Sequence, residues 1–165
     1  MWFELRREDL AFLDTAPVVH ACAADVAAPR ALVFATLADP RTWRDWFPGV
    51  REASYPSPPP HGVGSVRAAQ VGATRWIEEI LAWEHDRRWA YTVTRTSVPF
   101  ARAQVESFDV SDGTAGTRVC WTLALEPRLL ARLGAPLAPG ILDRLFRRAM
   151  RNLEGFLRRD APGCG

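Results

Sequence analysis

From residue 64 onward, apolar and polar residues repeatedly alternate with a period of two, the signature of strands with one buried face. GSVRAAQV (64–71) and TRWIEEILAWE (74–84) are separated by Gly72 and Ala73, a gap of hairpin size. RRWAYTVTRT (87–96) sets Trp89, Tyr91 and Val93 against Ala90, Thr92 and Thr94, and TRVCWTLAL (117–125) alternates Val119, Trp121, Leu123 and Leu125. ARAQVESFDV (101–110) is less regular: Val105 followed by Phe108 and Val110 breaks the alternation and predicts a bulge. Two more strands are expected, PVVHACAADVA (17–27) and VREASYP (50–56), the latter running into SPPPHG, which no central strand accommodates.

The period changes to 3.6 in two other places. APRALVFATLAD (28–39) places Leu32, Val33 and Leu37 at helical spacing with Pro29 in the first turn, and PRTWRDWF (40–47) predicts a second short helix that Pro48-Gly49 stops. Residues 139–159 predict a long helix whose apolar face carries Ile141, Leu142, Leu145, Phe146, Ala149, Met150, Leu153, Phe156 and Leu157. Arg144, Arg147, Arg148 and Arg151 occupy its other side, with Asp143–Arg147 spaced for an i,i+4 pair. Closely spaced strands with short connections predict an antiparallel meander. The sheet must bury one face, and the large apolar partner on offer is the terminal helix. A sheet curved around a helix leaves a space between them, and the two small helices would close one end of it with Trp43, Trp46 and Phe47.

A chain of 165 residues, 48% hydrophobic, is long enough for one domain with a core and excludes a disordered protein. No uncharged apolar run reaches membrane-spanning length, and the charged start MWFELRREDL is unlike a signal peptide, so a cytoplasmic protein without integral membrane association is expected. The net charge of +2 does not call for a polyanion, and the basic residues, all arginine, are scattered; no nucleic acid partner is expected. The lack of lysine excludes Schiff-base chemistry and a P-loop lysine. Cys22, Cys120 and Cys164 are far apart with no C-x-x-C, which argues against a disulfide framework or a zinc site.

These elements in this order resemble the START-like, helix-grip superfamily, and within it the bacterial polyketide cyclase/dehydrase-like group. VAAPRALVFATLADPRTWRDWFPGV looks like that group's opening strand and helices, IEEILAWEHDRRWAY like a strand pair, GTRVCWTL like a late strand and LDRLFRRAMRNLEGFL like the terminal helix. The resemblance implies an α+β helix-grip fold: a curved antiparallel sheet of about seven strands wrapped around a long C-terminal helix, with two short helices between strands 1 and 2. It covers roughly residues 17–159, and one domain is expected over residues 17–160. Residues 1–16 form an extension apolar enough to pack on the domain or on a second copy of the chain, as a homodimer. Residues 161–165 form a flexible tail. The superfamily hosts binders, carriers and enzymes on one scaffold, so its implication for function is broad.

The expected function is binding of a hydrophobic small molecule (a lipid, polyketide or isoprenoid) in an internal cavity between sheet and terminal helix. The alternatives are a polyketide cyclase or dehydratase in that cavity, or a protein-interaction module using the N-terminal segment or residues 126–140. The mouth is expected at the loops 57–62, 72–73, 97–100 and 126–139. The resemblance implies that Glu78 points inward, where it would anchor a ligand, serve as acid/base if the protein is an enzyme, or pair with Arg67. Expected ligand contacts are Arg67, Trp76, Glu78, Tyr91, Phe108, Trp121, Phe146, Met150 and Asn152, the last either facing the cavity, solvated or bonded to the sheet. Two positions depart from the cyclase pattern: Val50, where those enzymes can carry a tyrosine, and Ala82, read as the inward position beyond Ile80, where an arginine can occur. His20-x-Cys22 places two soft ligands on one strand face without an evident third, so no metal is expected, and no cofactor.

Overall fold

A computed structural model of the chain describes residues 1–128 and 138–160; residues 129–137, which make up most of the segment 126–140, and residues 161–165 with Cys164 lie outside the described residues. Eight strands form one antiparallel sheet: β1 (Phe3–Glu4), β2 (Val18–Val26), β3 (Val50–Ser54), β4 (Val66–Val71), β5 (Thr74–Glu84), β6 (Arg88–Thr96), β7 (Ala101–Gly113) and β8 (Gly116–Pro127). The spatial order is β2-β8-β7-β6-β5-β4-β3, with β1 added beside β6. Consecutive strands from β3 to β8 are therefore neighbours, as short connections require. The tight β7–β8 turn depends on glycine: Gly116 has φ +133°, and a Cβ there would stand 2.5 Å from the Val26 carbonyl oxygen.

The helices are α1 (Phe12–Thr15), α2 (Arg30–Ala38), a 3₁₀ turn (Pro40–Thr42), α3 (Trp43–Trp46) and α4 (Ala138–Asp160). Pro29 sits at the N-cap of α2, and Asp39 caps the 3₁₀ turn by accepting the Arg41 backbone N–H at 3.0 Å. On the concave face of the sheet, Phe108 and Trp121 stack at 6.1 Å, and Trp121 stacks on Phe146 of α4 at 5.8 Å. Ala149, Met150, Leu153 and Leu157 continue the buried face of α4, while Arg144, Arg147, Arg148 and Arg151 are exposed. Ile141, expected on the apolar face, is exposed in the first turn of the helix.

Trp43 and Trp46 are 2% and 1% exposed and fill the end of the space between sheet and α4. The Trp43 ring meets Phe108 edge-on at 5.5 Å and Trp89 at 5.6 Å, and its Nε1 donates to the Leu37 carbonyl at 2.8 Å. Phe47 is half-buried against Trp121. The aromatic density of residues 43–47 thus serves as an interior plug.

The N-terminal segment is spent on its own domain. β6 and β7 pair from Arg88↔Asp109 to Thr92↔Val105 and then part. β1 enters where they part: Phe3 pairs with Thr96, Leu5 N–H donates to Thr94 at 2.9 Å, and Arg6 N–H donates to Arg102 of β7 at 2.7 Å. α1 then lays Phe12 over Ala103, Val105 and Ala124 on the convex face.

This explains β7. No bulge lies at 105–110; the register shift is between Ala101 and Ala103. Val105 belongs to the convex face under Phe12, and the concave positions on the N-terminal side of Phe108 are the polar Gln104 and Glu106. A second difference lies in β5. Its register shifts between Ile80 and Ala82, so that Ala82 faces Ala90 while Trp83 faces Trp89. The bulge passes the inward position beyond Ile80 to Trp83, in place of Ala82.

Candidate functional site

A cavity of about 820 Å³ opens between α2 and the β3–β5 side of the sheet. Three separate segments form it. The Pro-rich loop after β3 cannot continue the ladder, so it stands off from α2 and forms one wall with Tyr55, Pro59 and His61. The facing side of α2 carries Ala31, Ala35 and Ala38, whose small side chains leave room, with Phe34 at the edge. Trp83, turned inward by the β5 bulge, forms the back. Phe34 meets it edge-on at 6.5 Å, and Tyr55 lies 6.1 Å from it. Asp39, Arg41, His85 and Asp86 contribute polar atoms, and Arg41 is already held by Asp39 at 2.8 Å.

Within the cavity the polar groups differ in how far they are committed. Tyr55 donates to the Ala38 carbonyl at 3.2 Å, and burial pushes its hydroxyl up to about 12. The His61 ring stacks on Tyr55 at 4.3 Å, and its buried Nδ1 has no hydrogen-bond partner among the described residues. Of the expected mouth loops, 57–62 contributes to this cavity and 72–73 and 97–100 do not, while most of 126–139 lies outside the described residues; the turn at His85 and Asp86 also lines it.

Behind the cavity lies a buried ionic cluster. Arg67 and Glu78 are cross-strand partners on β4 and β5, 2.8 Å apart between Nε and Oε2, with side chains 2% and 5% exposed. The alignment is that of a charge contact, not a hydrogen bond: Arg67 Nε and Nη1 and Glu78 Oε2 lack hydrogen-bond partners among the described residues. The Arg67 guanidinium lies over Trp43 at 4.2 Å, Trp89 at 4.9 Å and Tyr91 at 5.2 Å. Glu106, facing Tyr91 on β6, accepts Trp121 Nε1 at 2.7 Å and Gln104 Nε2 at 2.5 Å. Burial raises the carboxyl of Glu78 to about 7, against the pull of Arg67, and also raises that of Glu106. One guanidinium between two carboxyls is neutral when one carboxyl keeps its proton.

The expected ligand residues therefore fall into separate places. Arg67, Glu78 and Tyr91 come together in the ionic cluster; Phe108, Trp121, Phe146 and Met150 pack in the core. Trp76 is half-buried and lines a smaller cavity of about 200 Å³ with Trp2 and Arg75. Asn152 donates from Nδ2 to the Trp46 carbonyl at 3.0 Å and so ties α4 to the plug. None of these nine residues lines the larger cavity, and neither cavity is lined by a described residue of α4. The broken alternation of 101–110 hides Glu106, but the register of β7 is regular from Ala103 to Gly113. Counting back in twos from Phe108 and Val110 places Glu106 inward.

His20 and Cys22 of β2 do have a third companion. Asp143 of α4 lies 3.1 Å from His20 Nε2 and 3.0 Å from Cys22 Sγ, and it turns to them in place of the expected pairing with Arg147. Burial, aided by this carboxylate, pushes the Cys22 thiol up to about 12.

A family profile described as polyketide cyclase / dehydrase and lipid transport matches residues 21–156, most of the chain. The chain belongs to this family. Uncharacterized proteins of Mycobacterium tuberculosis and Mycobacterium bovis are 29% identical to it over 155 residues, 93% of each chain. A START superfamily protein from Mycobacterium smegmatis superimposes with TM-score 0.70 at 15% identity, covering 86% of this chain and 97% of that one. The Zhui aromatase/cyclase of Streptomyces sp. R1128 does so with TM-score 0.63 at 20% identity, covering 90% and 96%. These likenesses establish the START-like fold. No described helix is long and apolar enough to cross a membrane.

Proposed function

We propose that this chain binds a hydrophobic small molecule of the lipid, polyketide or isoprenoid class in the cavity between α2 and β3–β5. The observation that carries this reading is the cavity itself: about 820 Å³, walled by Phe34, Tyr55, Trp83 and the small face of α2. That volume and that balance of apolar wall to few polar atoms are those of a small-molecule site. The apolar body of the ligand lies along Ala31, Ala35 and Trp83. A polar end accepts or donates at His61 Nδ1. The family description, which joins cyclases with lipid transport, is consistent with such cargo.

The test is to fill the site. Ala35 is exposed on α2 and lines the cavity, so Ala35→Trp places an indole there without disturbing the core. Equilibrium titration with a fluorescent fatty acid is expected to give saturable one-site binding to the parent chain. Ala35→Trp should weaken it by roughly tenfold or more, at the ~1–3 kcal/mol scale of an apolar pocket contact. Equal affinity in both proteins overturns the assignment.

A catalytic reading in the cyclase/dehydratase class rests on Glu78, a carboxyl poised near neutrality. Glu78 lies behind the cavity wall, so Glu78→Gln should leave fatty-acid affinity unchanged. With a poly-β-ketone substrate, loss of turnover by about 10²–10⁴-fold in that variant, with binding intact, would establish acid/base catalysis in its place.

A further inference from the structure

His20, Cys22 and Asp143 line neither cavity. They form a nearly equilateral triangle of donor atoms: Sγ to Nε2 3.0 Å, Sγ to Oδ1 3.0 Å and Nε2 to Oδ1 3.1 Å. Two residues apart on β2, His20 and Cys22 share the concave face, and Asp143 meets them from the second turn of α4. From these positions we propose that the triangle is a zinc-binding site, with three protein ligands and a fourth position open to solvent.

The arrangement of the donors favours this over a nucleophilic cysteine. In a nucleophile–His–acid relay the imidazole uses one nitrogen for the nucleophile and the other for the carboxylate. Here a single nitrogen, Nε2, approaches both the sulfur and the carboxylate oxygen, so the three atoms converge on one point in space and form no chain. Three convergent donors make one face of a tetrahedron. Zinc distances of about 2.0–2.3 Å place adjacent ligand atoms roughly 3.3–3.6 Å apart. The triangle needs to open by only a few tenths of an ångström, within reach of small rotamer adjustments.

The donor set selects the metal. A thiolate with an imidazole favours zinc over magnesium or calcium, which take oxygen ligands. The Asp143 side chain is 40% exposed and the His20 side chain 15%, so the site has access to solvent on one side. Cys120 does not join it: Cys22 pairs with Trp121 and Ala23 with Cys120, which puts Cys120 on the opposite face of the sheet. Bound there, zinc would clip the start of α4 to the edge strand β2 through residues more than 120 positions apart in sequence.

The experiment uses the full chain carrying Cys120→Ser and Cys164→Ser, so that Cys22 is the sole thiol, titrated with cobalt(II) alone and then with zinc. One equivalent of cobalt should produce a thiolate-to-metal charge-transfer band that one equivalent of zinc removes. Cys22→Ser should abolish the band, and Asp143→Asn, a conservative change on an accessible side chain, should weaken zinc binding at least tenfold. Zinc should also raise the unfolding temperature of the parent and not that of Asp143→Asn. Failure of the band to appear, or zinc affinity unchanged in Asp143→Asn, overturns the proposal.

Discussion

Glu78 is buried 2.8 Å from Arg67, and that burial gives its carboxyl an unusual pH behaviour. The folded protein holds the Glu78 proton up to about pH 7, while the unfolded chain releases it near 4.5. Between those values the unfolded state binds fewer protons, so stability falls as pH rises; this contribution is complete below about 4.5 and lost through 7. Denaturant unfolding at intervals from pH 5 to 8 should show this decline in the wild type. The difference between wild type and Glu78→Gln should shrink or reverse across the same range, because the variant has no proton to lose there. The same scale governs the plug. Trp46 is 1% exposed, and Trp46→Ala should cost about 3–5 kcal/mol in chemical denaturation. The tryptophans of the plug were legible in the sequence by their bulk, whereas the inward position of Glu78 followed from the family resemblance and not from its strand, whose two faces are both mixed. What could not be read was Asp143 beside His20, because proximity across 123 positions is a property of the packed fold.

The elements were predicted by period with one systematic gap. Strand limits agree closely wherever one face is apolar and the other polar, as in β6 and β8. β7 resisted because its inward face carries Gln104 and Glu106 while its outward face carries Val105, so burial by α1 inverts the usual polarity. A pattern argument presumes that one face of a sheet meets water. Here the chain's own N-terminal segment covers part of the second face. Phe12 is the anchor of that cover, buried over Ala103, Val105 and Ala124. Phe12→Ala should lower unfolding free energy by about 3 kcal/mol, somewhat less if the exposed side of α1 collapses into the gap. Amide exchange should quicken first at Leu5 and Arg6, whose N–H groups bridge to β6 and β7. Unchanged stability and exchange would mean the segment is an accessory to the sheet and not part of it.

At the scale of the whole molecule, the order of elements announced a sheet gripping a helix, and the family and fold are as the motifs implied. The position of the larger cavity was not legible. Sequence assigned the space under α4 to a ligand, but large side chains crowd the concave surface: Trp43, Trp46, Trp89, Phe108, Trp121 and Phe146 occupy it, along with the ionic cluster. Room remains where α2 is lined with alanine and prolines hold a loop away from the sheet, and such a vacancy depends on side-chain volumes summed over distant segments. The topology also bears on biosynthesis. β2 pairs along its length with β8, Val18 with Leu125 and Val26 with Thr117. During translation at about 5–20 residues per second, β2 waits roughly 5–20 seconds for its neighbour to be made. Over that interval an early strand stands unpaired beside a growing meander whose aromatic face has no α4 to cover it, so the nascent chain is most exposed to chaperones and to aggregation just before its last helix emerges from the ribosome.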